Sequence, residues 1–123
     1  MPTSEHRRRT VVDVADPRIG RIIDLIESRP SDALAIDSLA GAVNLSASRL
    51  RRLFVAQTGL TLSRYIKRVR MSRADELVCS TFLSIKEIVA AVGLRDESHF
   101  VRDFKSCHGC TPTERRRAVL AKR

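Results

Sequence analysis

Two stretches of this chain follow one pattern, and that duplication restricts the fold more than any other feature. Leu39, Val43 and Leu45 recur forty-nine residues later as Ile88, Val92 and Leu94. Leu50, Arg52, Phe54, Gly59 and Thr61 recur fifty residues later as Phe100, Arg102, Phe104, Gly109 and Thr111. A fixed-period repeat means one supersecondary unit used twice. Each copy reads as a short helix, a tight turn and a longer helix, the helix-turn-helix pattern. The one-residue slip falls in the turn, where an insertion is tolerated. The turn residue is Asn44 in one copy and Gly93 in the other, both suited to positive φ.

Helix punctuation surrounds both copies. Asp16-Pro17 is an N-cap followed by proline, and Ile19, Ile22, Ile23 and Ile26 then form one apolar stripe that Pro30 ends. Asp37 is placed to cap the second helix and Ser46 the third, which Gly59 closes. A long fourth helix runs from about Leu62 to Cys79 with Tyr65, Ile66, Val69, Ala74, Leu77 and Val78 as its apolar set. Ser84-Ile85-Lys86-Glu87 is a capping box. Asp96 caps the sixth helix, and Thr111-Pro112-Thr113-Glu114 opens the seventh. Strand signals are nearly absent. The expected fold is all-α: seven helices forming two helix-turn-helix subdomains joined by a long linker helix. The expected divisions are a flexible basic tail at 1–15, a first subdomain at 16–61, the linker at 62–79, a second subdomain at 80–118 and a basic tail at 119–123.

Charge supplies the functional direction. The formal net charge is +9, and 19 of the 23 basic residues are Arg. Such a surface seeks polyanions, and Arg forks onto phosphates and guanine edges as Lys cannot. Between Ser38 and Ala74 there is no Asp or Glu, while Arg49, Arg51, Arg52, Arg64, Lys67, Arg68, Arg70 and Arg73 all fall there. A solvated face mixes signs, so a one-sign stretch points to nucleic acid. The longer helix of each copy then orients its residues. With Leu50, Leu53 and Phe54 inward, Ser48, Arg52 and Val55 point outward; with Phe100 and Phe104 inward, Ser98, Arg102 and Lys105 point outward. Arg49 and Arg51 flank the first face, and Glu97 and His99 the second. A helix presenting Ser and Arg from its first turns suits the major groove of B-DNA, where Arg reads guanine. An 18-residue linker spans about 27 Å, enough to set two recognition helices about one DNA turn, roughly 34 Å, apart.

The run Leu39-Ala40, Leu45-Ser46, Leu50, Arg52-Leu53-Phe54, Gly59, Tyr65-Ile66, Arg70, Ala74, Leu77 resembles the first half of the AraC/XylS DNA-binding domain. The run Ile85, Glu87-Ile88, Val92-Gly93, Ser98-His99-Phe100, Arg102, Phe104-Lys105, Gly109, Thr111-Pro112, Arg116 is similar to that family's C-terminal signature. The resemblance covers about residues 17 to 117. It implies a bacterial transcription regulator, most often an activator, that touches promoter double-stranded DNA and RNA polymerase. It further implies that Ser48, Arg51 and Arg52 face bases in the first copy, and Ser98, His99 and Arg102 in the second. Arg49, Arg68, Lys105 and Ser46 are the expected phosphate contacts. Three positions depart from the family pattern: Leu62 replaces a proline, Leu94 replaces a Phe and should still pack, and Arg115 replaces a Tyr, adding charge near the DNA. Most members carry a further domain for effector binding or dimerisation, so the resemblance is to minimal stand-alone members or to a DNA-binding domain cut from a longer regulator.

The remaining signals are weaker. Cys107-His108-Gly109-Cys110 is a C-x-x-C, with Cys79, His99 and His108 the other soft candidates; a redox- or metal-responsive regulator through Cys107 and Cys110 is an alternative. His99 between Asp96 and Asp103 can be drawn as a dyad, without a nucleophile or pocket. No catalytic residue, cofactor or metal is expected, and the chain is not expected to be an enzyme. Arg7-Arg8-Arg9 reads as a soluble tail or a minor-groove arm. The absence of a membrane-length apolar run and of a secretion signal favours the cytoplasm, on the nucleoid, with no membrane partner. A monomer on DNA is expected. The competing reading is a non-specific, nucleoid-type DNA-binding protein.

Overall fold

The computed structural model describes residues 15–29 and 35–122, so the expectations for the tail around Arg7-Arg8-Arg9, for Pro30 and for Arg123 lie outside the described residues. Among the described residues there are seven α-helices: α1 (Pro17–Ser28), α2 (Ile36–Ala42), α3 (Ala47–Thr58), α4 (Leu62–Ser80), α5 (Ile85–Ala91), α6 (Glu97–His108) and α7 (Pro112–Ala121). No strand is present among those residues. The chain divides into two compact units, and the boundary falls inside α4, between Ile66 and Lys67.

The duplication is visible in the backbone. α2 and α5 are each 7 residues long, and α3 and α6 are each 12. Residues 43–46 separate the first pair and residues 92–96 the second, so the extra residue sits in the turn. Asn44 has φ 58° and Gly93 φ 84°, the left-handed conformation that lets the chain reverse. The amide of Leu45 then bonds Ala40 O at 3.0 Å, and that of Leu94 bonds Val89 O at 2.9 Å. Both longer helices end on a left-handed glycine, Gly59 and Gly109, each donating its amide at 2.8 Å to the carbonyl four residues back.

The first unit is built by α1, α2, α3 and the start of α4. Asp16 caps α1, accepting from the Arg18 amide at 2.9 Å, and the four isoleucines of its stripe are buried. Leu39, Ala40, Leu50, Phe54, Leu62 and Tyr65 are buried with them. Each such large apolar side chain contributes about 1.5–3 kcal/mol of transfer free energy. Phe54 meets Tyr65 edge-on, ring centroids 5.6 Å apart. The Tyr65 hydroxyl donates to Glu27 Oε2 at 2.5 Å, tying α4 to α1. One cap differs from expectation. Residue Ala35, which has no side-chain acceptor, occupies the N-cap of α2, and Asp37 lies in the first turn. There its charge still complements the positive helix end.

The second unit is built by the rest of α4 with α5, α6 and α7. Met71, Ala74, Val78, Ile88, Val89, Val92, Phe100 and Phe104 form its core, with Leu77, Leu83, Ile85, Leu94 and Val101 packed against it. Leu94 thus packs as expected. Both capping boxes are formed, at Ser84/Glu87 and Thr111/Glu114. His108 packs against Phe104 with ring planes tilted by 55° and centroids 4.4 Å apart, and its Nε2 lies 3.0 Å from Met71 O. In α7, Arg115 bonds Asp75 at 2.9 Å, and Arg116 donates to Val78 O at 3.0 Å and Leu83 O at 2.6 Å. Arg115 is therefore not the added free charge the sequence suggested: the Asp75 carboxylate, forty positions earlier, neutralises it.

Candidate nucleic-acid interface

The first candidate recognition helix is α3. Ser46 caps it, its hydroxyl accepting from the Arg49 amide at 3.2 Å. Burial of Leu50 and Phe54 fixes its rotation, so Ser48, Arg49, Arg51 and Arg52 are exposed together with Ser46. Val55, on the same side, is 42 % exposed. The helix contains three arginines and no acid, and none of Arg49, Arg51 and Arg52 forms an ion pair among the described residues. Arg68 on α4 is also exposed. Arg49, Arg51 and Arg52 can bind anions with no ion-pair competitor among the described residues for their guanidinium donors.

The second candidate recognition helix is α6. Asp96 caps it, accepting from the His99 amide at 3.0 Å. Burial of Phe100 and Phe104 leaves Ser98, His99, Arg102 and Lys105 exposed. Its electrostatics differ from those of α3. Glu97 and Asp103 offset Arg102 and Lys105, and Asp103 is held in place. Lys67 Nζ on α4 lies 3.3 Å from Asp103 Oδ1, and His99 Nε2 lies 3.9 Å from Asp103 Oδ2. The Lys67–Asp103 pairing is long-range, and periodicity carries no trace of it. A signal was nonetheless present: the position in the first copy that matches Asp103 is Leu53, so a charge replaces an apolar residue.

Around the C-x-x-C, Cys107 is exposed and Cys79 and Cys110 are half-buried, all three as free thiols. Cys107 and Cys110 flank Gly109 at the carbonyl end of α6, whereas thiols activated by a helix lie at its amide end. Burial and the neighbouring Asp75 charge push the Cys79 thiol up, and its Sγ lies 3.6 Å from Asp75 Oδ1. No group of His, Cys, Asp and Glu that could hold a metal occurs among the described residues. No helix among them is long and apolar enough to cross a membrane.

Two exposed helix faces on matching supersecondary units define a double helix-turn-helix protein. Residues 39–118 match the family described as a helix-turn-helix domain. The chain is 30% identical over 102 residues to the HTH-type transcriptional regulator MtrA of Neisseria gonorrhoeae, covering 83% of this chain and 34% of that protein. It spans about a third of the length of the curated relatives it matches first. Among solved structures, the C-terminal domain of AraT, a response regulator from Geobacillus stearothermophilus, is 31% identical with a TM-score of 0.79, covering 84% of this chain and 86% of that one. A transcriptional regulator with an AraC-type DNA-binding domain from Chromobacterium violaceum is also 31% identical, with a TM-score of 0.76, covering 81% and 89%. The chain belongs to the AraC-type helix-turn-helix family, whose members are DNA-binding transcription regulators and not enzymes.

Proposed function

We propose that this chain binds double-stranded promoter DNA sequence-specifically and activates transcription, placing α3 and α6 in successive major grooves. The observation that carries the proposal is the matched Ser–Arg face on two helices of equal length, Ser48 with Arg52 and Ser98 with Arg102. Arg52 and Arg102 are the principal base readers, assisted by Ser48, Arg51, Ser98 and His99. Ser46, Arg49, Arg68 and Lys105 contact phosphate. Two unlike readers on one chain allow a monomer to recognise a non-palindromic site. RNA polymerase is the proposed protein partner, and the bacterial cytoplasm, on the nucleoid, the proposed location.

The test is selection of binding sites from a random duplex library at fixed salt, followed by Arg52→Ala and Arg102→Ala. Each variant is expected to lose about 1–3 kcal/mol on the selected site and to relax preference in one block of it only. The acid-free stretch from Ser38 to Ala74 favours a second reading, a non-specific packaging protein. That reading yields a flat selection profile, with uniform weakening of all DNA by Arg52→Ala.

A further inference from the structure

One charge difference between the two copies lies next to the proposed DNA face. Asp103 directly follows Arg102 in α6, and its side chain is 20 % exposed. One carboxylate oxygen faces Lys67 at 3.3 Å and the other faces His99 at 3.9 Å. The Lys67 side chain is 50 % exposed, so it otherwise remains available to a phosphate backbone. No acidic residue occurs on α3, and Leu53 stands where Asp103 would be.

We propose that Asp103 is a specificity-determining residue of the second recognition helix, holding Lys67 back from phosphates that any duplex offers. The assignment rests on the reading that α6 faces DNA. A carboxylate beside the groove repels phosphate, and an ammonium already paired gains little by exchanging one anion for another. The second helix therefore adds affinity chiefly where base contacts by Ser98, His99 and Arg102 form. The first helix has no such restraint, so Arg49, without an ion-pair partner among the described residues, supplies sequence-blind affinity. Selectivity is a difference between affinities, and Asp103 enlarges it by lowering the weaker one.

The experiment compares the wild-type chain, Asp103→Asn and Asp103→Asn/Lys67→Met on two duplexes, one carrying the selected site and one a scramble of it, across a salt series. Asp103→Asn is expected to raise affinity for the scrambled duplex about threefold to tenfold near 0.1 M salt and to steepen log K against log salt by about 0.9, the increment of one more phosphate contact. Affinity for the selected site is expected to rise less, so the ratio falls. Adding Lys67→Met is expected to remove the steepening. An unchanged slope on the scramble, or a steepening that survives Lys67→Met, overturns the restraint on Lys67. An equal rise on both duplexes overturns the specificity role. If the wild-type chain binds both duplexes alike, base reading itself fails and the specificity role with it, while the salt slopes still decide whether Asp103 restrains Lys67.

Discussion

Removing the Arg116 guanidinium tests how the second unit is closed. Val78 O lies in the last turn of α4, where no intrahelical donor remains. Arg116 Nε supplies one at 3.0 Å, and Nη1 reaches Leu83 O at 2.6 Å in the segment leading to α5. The third contact, Nη2 to Leu77 O at 3.4 Å, adds little, because that carbonyl already accepts from the amide of Thr81 at 3.1 Å and its hydroxyl at 2.6 Å. Two charge-assisted bonds at a half-buried site contribute about 1–1.5 kcal/mol each. Arg116→Met, which keeps the alkyl stem, is therefore expected to cost about 2–3 kcal/mol. Arg116→Lys keeps the charge but cannot fork, and is expected to recover at most about half. Arg117→Met, at an exposed neighbour, serves as the control and is expected to cost less than about 0.5 kcal/mol. Urea unfolding followed by circular dichroism measures all three; at a slope of about 1.5 kcal/mol/M, the Arg116→Met midpoint falls by between about 1 and 2 M. A loss below about 0.5 kcal/mol for Arg116→Met, or full stability for the lysine variant, refutes the reasoning and means that water satisfies those carbonyls.

Two other predictions concern the backbone and the first unit. The chain has one tyrosine and no tryptophan, so absorbance near 295 nm reads Tyr65 alone. Burial and the Glu27 carboxylate raise its pKa, so the native phenol is expected to ionise well above the usual value of about 10. Because the folded value lies above the unfolded one, this contribution to stability is complete below about pH 10 and lost as pH rises through the folded pKa; an inflection near 10 in the folded protein contradicts the burial. Gly59 and Gly109 have φ of 78° and 82°, and a methyl group on either meets no atom within 4 Å. Substituting alanine at either is expected to cost about 1–2 kcal/mol from backbone strain alone, and unequal costs in thermal or urea unfolding would show that the copies do not share this cap.

What could be read from the sequence was local or repeated. The isoleucine stripe of α1, the caps at Ser46, Asp96, Ser84 and Thr111, and the left-handed residues Asn44, Gly59, Gly93 and Gly109 each follow from neighbours within four positions. Met71 escaped the apolar set of α4 although it is 2 % exposed in the second core. Asp37 was misplaced as a cap because a short polar side chain suits both the N-cap and the first turn. The polar ties were out of reach. Tyr65–Glu27, Arg115–Asp75 and Lys67–Asp103 join residues 36 to 40 positions apart, and no period announces a partner at that distance. The exposed face of each recognition helix was legible because two buried residues fix a helix's rotation; the unequal electrostatics of the two faces was not, because they depend on which charges meet.

The seventh helix fully buries only Pro112 and is fastened mainly by guanidinium groups. An element held by polar bonds can peel away while the hydrophobic interior stays shut, so the amides of α7 should exchange with solvent before those of α6. Its departure would uncover Asp75 and the carbonyl pole of α4, an electronegative rim on a strongly cationic protein. Through Arg115 and Arg116 the seventh helix thus covers part of a patch whose polarity opposes that of the chain as a whole.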